Sequence, residues 1–146
     1  MLRILAFPAT DPQFAVCMDI RMEVFVGEQN VPPDEERDEY DATALHFLAY
    51  HANVPAGTAR VIRKDAATAK ITRVAVRKAG RGHGIGTALM HAIETAPQLA
   101  DVDAFVLDAQ VHALEFYSRL GYTTEGGGFM EAGIPHQRMR KSRSRI

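Results

Sequence analysis

Sulfur chemistry is nearly absent from this chain, which has a single cysteine, Cys17, among its 146 residues. One thiol cannot close an intrachain disulfide, so nothing in the sequence requires an oxidising compartment. Cys17 falls in a helical pattern with Phe14 and Ile20 and has no histidine near it in sequence. It reads as a small buried apolar side chain rather than a catalytic thiol. A charge excess is missing too: 17 basic and 18 acidic residues give a formal charge of -1, which argues against a nucleic-acid partner. No apolar run approaches the length of a membrane span. The start Met1-Leu2-Arg3-Ile4-Leu5 lacks the charged opening and apolar core of a signal peptide, and a cytoplasmic protein with no membrane partner is expected. There is no internal repeat and no Pro/Gly/Ser-rich linker. With 47% hydrophobic and 24% charged residues, the chain is expected to form one domain over residues 1–146.

The hydrophobic pattern switches period several times. Leu2, Ile4, Ala6 and Phe7 predict a first strand closed by Pro8. Asp11-Pro12 predicts a helix start, followed by one apolar face of Phe14, Cys17, Ile20, Val24 and Phe25, with Gly27 expected to end the helix. Three strand-like runs follow, at 44–51, at 57–63, and at Ile71, Val74 and Val76, and their short connections predict an antiparallel meander. Residues 85–96 predict a helix stopped by Pro97, Val102 to Leu107 a buried strand, and 111–120 a second amphipathic helix with Gly121 at its C-cap. Two last strands are expected at 122–124 and 137–140, around glycines 126–128. The order is that of a mixed α/β fold.

Residues 28–41 stand apart, with seven acidic side chains, one arginine and two prolines. Such a segment is either a solvated surface loop or one wall of a pocket for a cationic amine. The stretch from Arg73 to Thr87 carries more information. It joins a strand to a helix through Gly80, Gly82, Gly84 and Gly86, with Arg77, Lys78, Arg81 and His83 interspersed. Glycines permit positive φ and close backbone approach. Unpaired N–H groups at a helix N-terminus favour an anion. The loop therefore predicts a pyrophosphate site. It lacks the Lys-Ser/Thr of a nucleotide-triphosphate loop and has Thr87 where a dinucleotide fingerprint needs its third glycine.

Arg81-Gly82-His83-Gly84-Ile85-Gly86 resembles the Arg/Gln-x-x-Gly-x-Gly/Ala element of the GNAT N-acetyltransferase superfamily, and Arg73-Val74-Ala75-Val76 resembles its pantetheine-binding strand. Gln110-Val111-His112-Ala113-Leu114-Glu115-Phe116-Tyr117, ending in Gly121-Tyr122, is similar to the Asn/Gln-x-x-Ala-x-x-Phe-Tyr block of the same superfamily. Arg21-x-x-Val24-Phe25-Val26-x-Glu28-Gln29-x-Val31-Pro32, then Glu36-x-Asp38-x-x-Asp41 and Gly133-Ile134-Pro135-His136, resemble its ElaA-like branch. The resemblance spans roughly residues 21 to 140. It implies a mixed α+β GNAT fold: a central, mostly antiparallel sheet with a splayed parallel strand pair, flanked by helices. The implied cofactor is acetyl-CoA. Its pantetheine arm would pair with Val74, Ala75 and Val76, and its pyrophosphate would meet Gly82, Gly84, Ile85, Gly86 and Thr87, with Arg81 and His83 at the margin.

By the same resemblance Tyr117 is the general acid to the leaving thiolate, the Val76 N–H a donor to the oxyanion, and Gln110 a ligand of the pantetheine arm. The general base stays open between Glu28, Asp41 and His136, or a water relay; an imidazole suits the task because histidine ordinarily titrates nearest neutral pH. The expected reaction is direct transfer of an acetyl group to a primary amine, of a small molecule or a peptide. Two alternatives stay open: a non-catalytic acyl-CoA-binding sensor of the same fold, and an acyltransferase using a longer chain. Many members of the superfamily pair as dimers, so a homodimer is an implied partner. No histidine spacing suggests a metal site. The basic ending 141–146 is expected to be a flexible tail.

Overall fold

A computed structural model describes residues 1–143. Its strands are β1 (Leu2–Pro8), β2 (Leu45–His51), β3 (Val54–Arg63), β4 (Thr68–Val76), β5 (Ala104–Gln110), β6 (Thr123–Thr124), β7 (Phe129–Glu131) and β8 (Ile134–Ser142). Its helices are α1 (Phe14–Arg21), α2 (Pro33–Glu36), α3 (Ile85–Thr95) and α4 (Leu114–Arg119). The strands form one sheet in the order β1-β2-β3-β4-β5-β8-β6, with β7 paired to β8. Every pairing is antiparallel except β4 with β5. The mixed, mostly antiparallel fold with one parallel pair is as the sequence implies.

Side chains alternate across a strand, and the sheet carries a core on each face. Phe47 points to a core with α3 (Ile85, Leu89, Ile93) and Tyr117 of α4. The next residue, Leu48, points to a core with Phe14, Cys17 and Ile20 of α1. Full burial of each such aliphatic or aromatic side chain contributes about 1.5–3 kcal/mol. Cys17 belongs to the second core, and burial pushes its thiol up.

Three expectations need correction. Gly27 does not stop the first helix: the chain continues from α1 into a π-helical segment, Met22–Glu28, and ends only where Asn30 turns left-handed at φ 60°. A glycine is tolerated inside because neighbouring turns fix its backbone, and asparagine tolerates the left-handed cap. The carboxyl end contains three strands rather than two, because β7 and β8 form a hairpin before β8 returns along β5. The basic ending is not a free tail through its first residues. Lys141 lies in β8, and its Nζ donates to Glu94 at 2.7 Å and to the Leu120 carbonyl at 2.8 Å. Arg143 donates to the carbonyls of Val102, Glu94 and Leu99. Residues 144–146 of that expectation lie outside the described residues.

Candidate active site

The site begins with a fault in β4. Its apolar residues recur at 71, 74 and 76, which breaks the period of two. The structure supplies the reason: Arg73 adopts φ 54°, and the β3–β4 register shifts by one residue between Thr58 and Arg60. A bulge of this kind reverses the faces beyond it. Ile71 packs against the α3 core, whereas Ala75 is buried in the α1 core, and Val74 and Val76 lie towards α3. Parallel pairing with β5 ends at Ile71 opposite Leu107. Beyond it β5 stays with β8 as far as Gln110 opposite His136. The β5-facing edge of Val74, Ala75 and Val76 is therefore left without a strand, and a cleft of about 830 Å³ opens along it. Val74, Ala75, Val76, Arg81, Gln110, Tyr117, Glu28 and His136 all line it.

The glycines of the adjoining turn divide into two kinds. Gly82 and Gly84 have φ 83° and 73°, and a Cβ on either would meet nothing within 4 Å. They provide a left-handed backbone facing open space. Gly80 and Gly86 are instead small for packing: a Cβ would come within 2.9 Å of Ile85 Cδ1 in the first case and 3.1 Å of Phe116 Cζ in the second. The first bond of α3 runs from the Ala88 N–H to the Gly84 carbonyl, so the amides of Ile85, Gly86 and Thr87 are the unengaged donors of the helix start. His83 stacks on His51 with centroids 4.9 Å apart. Arg81 donates through Nε to the Val76 carbonyl at 3.1 Å and through Nη2 to Glu28 Oε1 at 2.6 Å. The guanidinium thus sits between the strand edge and the turn.

Tyr117 is buried beneath the cleft, and its hydroxyl has no hydrogen-bond partner among the described residues. Burial pushes it up to about 12, so it stays protonated through the physiological range. Gln110 bridges the mouth, donating to Gln29 Oε1 at 2.7 Å, while its own Oε1 lies 2.6 Å from His112 Nε2. His136 is buried beside Gln110 at the end of β5. Its Nδ1 is 2.7 Å from the Ile134 carbonyl, which can only accept, so Nδ1 carries the hydrogen.

Asp41 is removed from the candidates for a base. It is buried and bound to Arg21 Nη1 at 2.7 Å and Arg60 Nη1 at 3.0 Å. Burial by itself would raise its carboxyl, but the Arg21 hydrogen bond and charge, with the Asp38 amide and Arg60, hold it at about 2. The acidic segment is exposed over most of its length, but three of its carboxylates are already paired and so withheld from an incoming amine. Glu36 is bound by Arg21 at 2.7 Å and Arg73 at 3.0 Å, and Asp38 by Arg60 and Arg73. The countercharges come from α1, β3 and β4, distant in sequence.

A depressed carboxyl stabilises the fold above its unfolded value, near 3.9, and loses that contribution as pH falls through its folded value. Asp41→Asn should therefore have a lower Tm than the wild type at neutral pH, and the difference should shrink between about pH 4 and pH 2. Thermal unfolding followed across that range checks it; a difference independent of pH would remove Asp41 from the acid response.

Sequence reasoning named Arg73 only as the first residue of the pantetheine strand and did not find its pairing with Glu36 and Asp38. It also did not find Glu131, which enters the cleft because β7 pairs with β8.

Residues 11–143 match the family described as the acetyltransferase (GNAT) domain. The uncharacterized N-acetyltransferase YjcF of Bacillus subtilis is 40% identical over 123 residues, 84% of this chain and 87% of that one. The crystal structure of Escherichia coli ElaA superposes with a TM-score of 0.84 at 28% identity, covering 97% of this chain and 100% of that one. That of an acyl-CoA N-acyltransferase from Pseudomonas aeruginosa gives 0.85, also at 28%, with the same coverage.

Proposed function

The chain belongs to the GNAT acetyltransferase family, in its ElaA-like branch, and from that premise we propose that it transfers the acetyl group of acetyl-CoA directly to a primary amine. The observation that carries this reading is the unpaired edge of Val74 to Val76 running into the left-handed turn at Gly82 and Gly84. Together they offer strand-like amides to a pantetheine arm and helix-start amides to a pyrophosphate. Gly82, Gly84, Ile85, Gly86 and Thr87 would hold the phosphates, with Arg81 and His83 beside them. Arg81 would then exchange Glu28 for phosphate oxygen, and Gln110 would exchange Gln29 for a pantetheine amide.

Bound acetyl-CoA supplies the activated acyl group. The chain's own residues would do the rest: the Val76 N–H would donate to the developing oxyanion, and the Tyr117 hydroxyl to the departing sulfur. A cytoplasmic location, where the cofactor is available, completes the reading.

The test is a charge placed in the turn. Asparagine and aspartate both tolerate left-handed φ, and the space around Gly84 is open, so Gly84→Asn and Gly84→Asp should fold alike. Only the second opposes a pyrophosphate. Calorimetry should find acetyl-CoA bound by the aspartate variant roughly ten- to hundredfold more weakly than by the asparagine variant, a difference of about 1.4–2.8 kcal/mol. Equal affinity would mean that the phosphates do not lie at this turn.

A further inference from the structure

We propose that the gap between His136 and Glu131 receives the acceptor, and that the acceptor is the cation of a primary amine with a flat apolar body; this rests on the transferase reading above. The hairpin turn Ala132-Gly133 has both residues left-handed, at φ 51° and 74°, the two-residue geometry that fixes register. Phe129 is set opposite His136, and Glu131 opposite Ile134. The two-residue period puts Phe129, Glu131 and His136 on one face. With the His136 Nδ1–H committed to the Ile134 carbonyl at 2.7 Å, Nε2 is the ring nitrogen left for an outside partner. That atom lies 3.6 Å from Glu131 Oε2. Whenever Nε2 is without its proton, the two atoms are acceptors that one donor can bridge.

An ammonium nitrogen can bridge the two atoms. Placed about 2.8 Å from each atom, it sees them at roughly 80°, from the 3.6 Å base of the triangle, near enough to tetrahedral for two of its N–H bonds to be used. The other carboxylates around the cleft are mostly occupied. Glu36 and Asp38 are bound to arginines and Asp108 to Lys70 and Arg138, while Glu28 is held by Arg81 until the cofactor takes that guanidinium. The carboxylates of Glu35 and Glu131 make no ion pair with lysine or arginine among the described residues, and of these two only Glu131 faces a histidine. The ring of Phe129, 37% exposed, stacks on His136 at a centroid separation of 5.8 Å; it stands at the rim rather than in the lining of the cleft, where a flat apolar group extending out of the gap can meet it.

The chemistry balances. Glu131 holds the ammonium, and one of its protons passes to His136 Nε2, leaving a neutral amine. The nitrogen lone pair forms the N–C bond to the thioester carbonyl. The C–S bond breaks with its electron pair on sulfur, which takes the Tyr117 proton. The second proton leaving nitrogen restores Tyr117, and His136 releases its proton to solvent. One amide, one thiol and one proton result.

The probes are benzylamine, a cation at neutral pH, and O-benzylhydroxylamine, which is neutral there and has a similar ring. Glu131 is exposed on a surface hairpin, so Glu131→Gln will fold. With acetyl-CoA as donor and thiol release as readout, Glu131→Gln should lower kcat/KM for benzylamine about tenfold, leave O-benzylhydroxylamine near wild type, and leave acetyl-CoA affinity unchanged. If the two acceptors fall together, or neither falls while the wild type turns over, the subsite is wrong and the transferase reading stands. If the wild type binds acetyl-CoA but acetylates neither probe nor any other primary amine, the transferase reading fails and the subsite with it.

Discussion

Tyr117→Phe is expected to lower kcat by roughly ten- to thousandfold, the range for loss of a proton donor, while acetyl-CoA affinity stays near wild type. Burial holds the phenol at about 12, and an ordinary thiol titrates near 8.5. A complete ground-state transfer from phenol to thiolate would thus run uphill by 12 − 8.5, or about 3.5 pK units, close to 5 kcal/mol. The hydroxyl would therefore act first as a hydrogen-bond donor to sulfur while charge builds there, and its proton would move across only as the second proton leaving nitrogen replaces it. Two consequences separate this role from packing. The variant keeps the ring and deletes a hydroxyl that has no hydrogen-bond partner among the described residues, so its Tm should be close to that of the wild type. The wild-type rate should show no alkaline loss from this group below about pH 11, since the raised value keeps the proton in place. Single-turnover kinetics across pH would settle both. An unchanged turnover number would leave Tyr117 as a packing residue only.

Arg21→Met should be the most destabilising single change among those considered, at about 3–5 kcal/mol. That is a large share of a typical total of about 5–15 kcal/mol, and a Tm lower by about 10–20 °C is expected. Arg21 is 1% exposed and uses Nε for Glu36, Nη1 for Asp41 and Nη2 for the Glu36 carbonyl. Removing it leaves two buried carboxylates, Glu36 with Arg73 as its one guanidinium and Asp41 with Arg60 and the Asp38 amide. Arg21→Lys should rescue little, because an ammonium is a point charge and cannot span a three-sided fork. Neutralising the partners as well, with Glu36→Gln and Asp41→Asn in the Met background, should recover part of the loss. A Tm close to wild type for Arg21→Met would mean that the acidic segment is held by something other than this network. Since that segment walls the cleft, the variant should also lose activity more steeply with temperature.

The left-handed glycine turn into α3 could be read directly from the chain because its geometry is local. Four glycines in seven positions, followed by a helical pattern, fix backbone conformation within one turn of helix, and no distant residue is needed to say where the N–H groups point. Tyr117 and Gln110 were legible for a similar reason, through a contiguous block on one short helix and the strand before it. Even there the division of labour was hidden: only the structure shows that Gly86 makes room for Phe116 and that Gly84 faces open space.

What the linear order determined, then, is the two alternating periods, the helix starts, the left-handed turn and the family to which they point. What only the tertiary structure decided is where charges meet. Seven acidic residues in fourteen positions suggest a negative surface until Arg21, Arg60 and Arg73 fold onto three of them from α1, β3 and β4. Asp41 suggests a base until two guanidiniums hold it ionised, and Glu131 suggests nothing until a two-residue turn brings it 3.6 Å from His136 Nε2. Backbone conformation is largely settled by neighbours in sequence, whereas Coulomb energy depends on distance in space and on burial. Both come into being only when the sheet has closed its register.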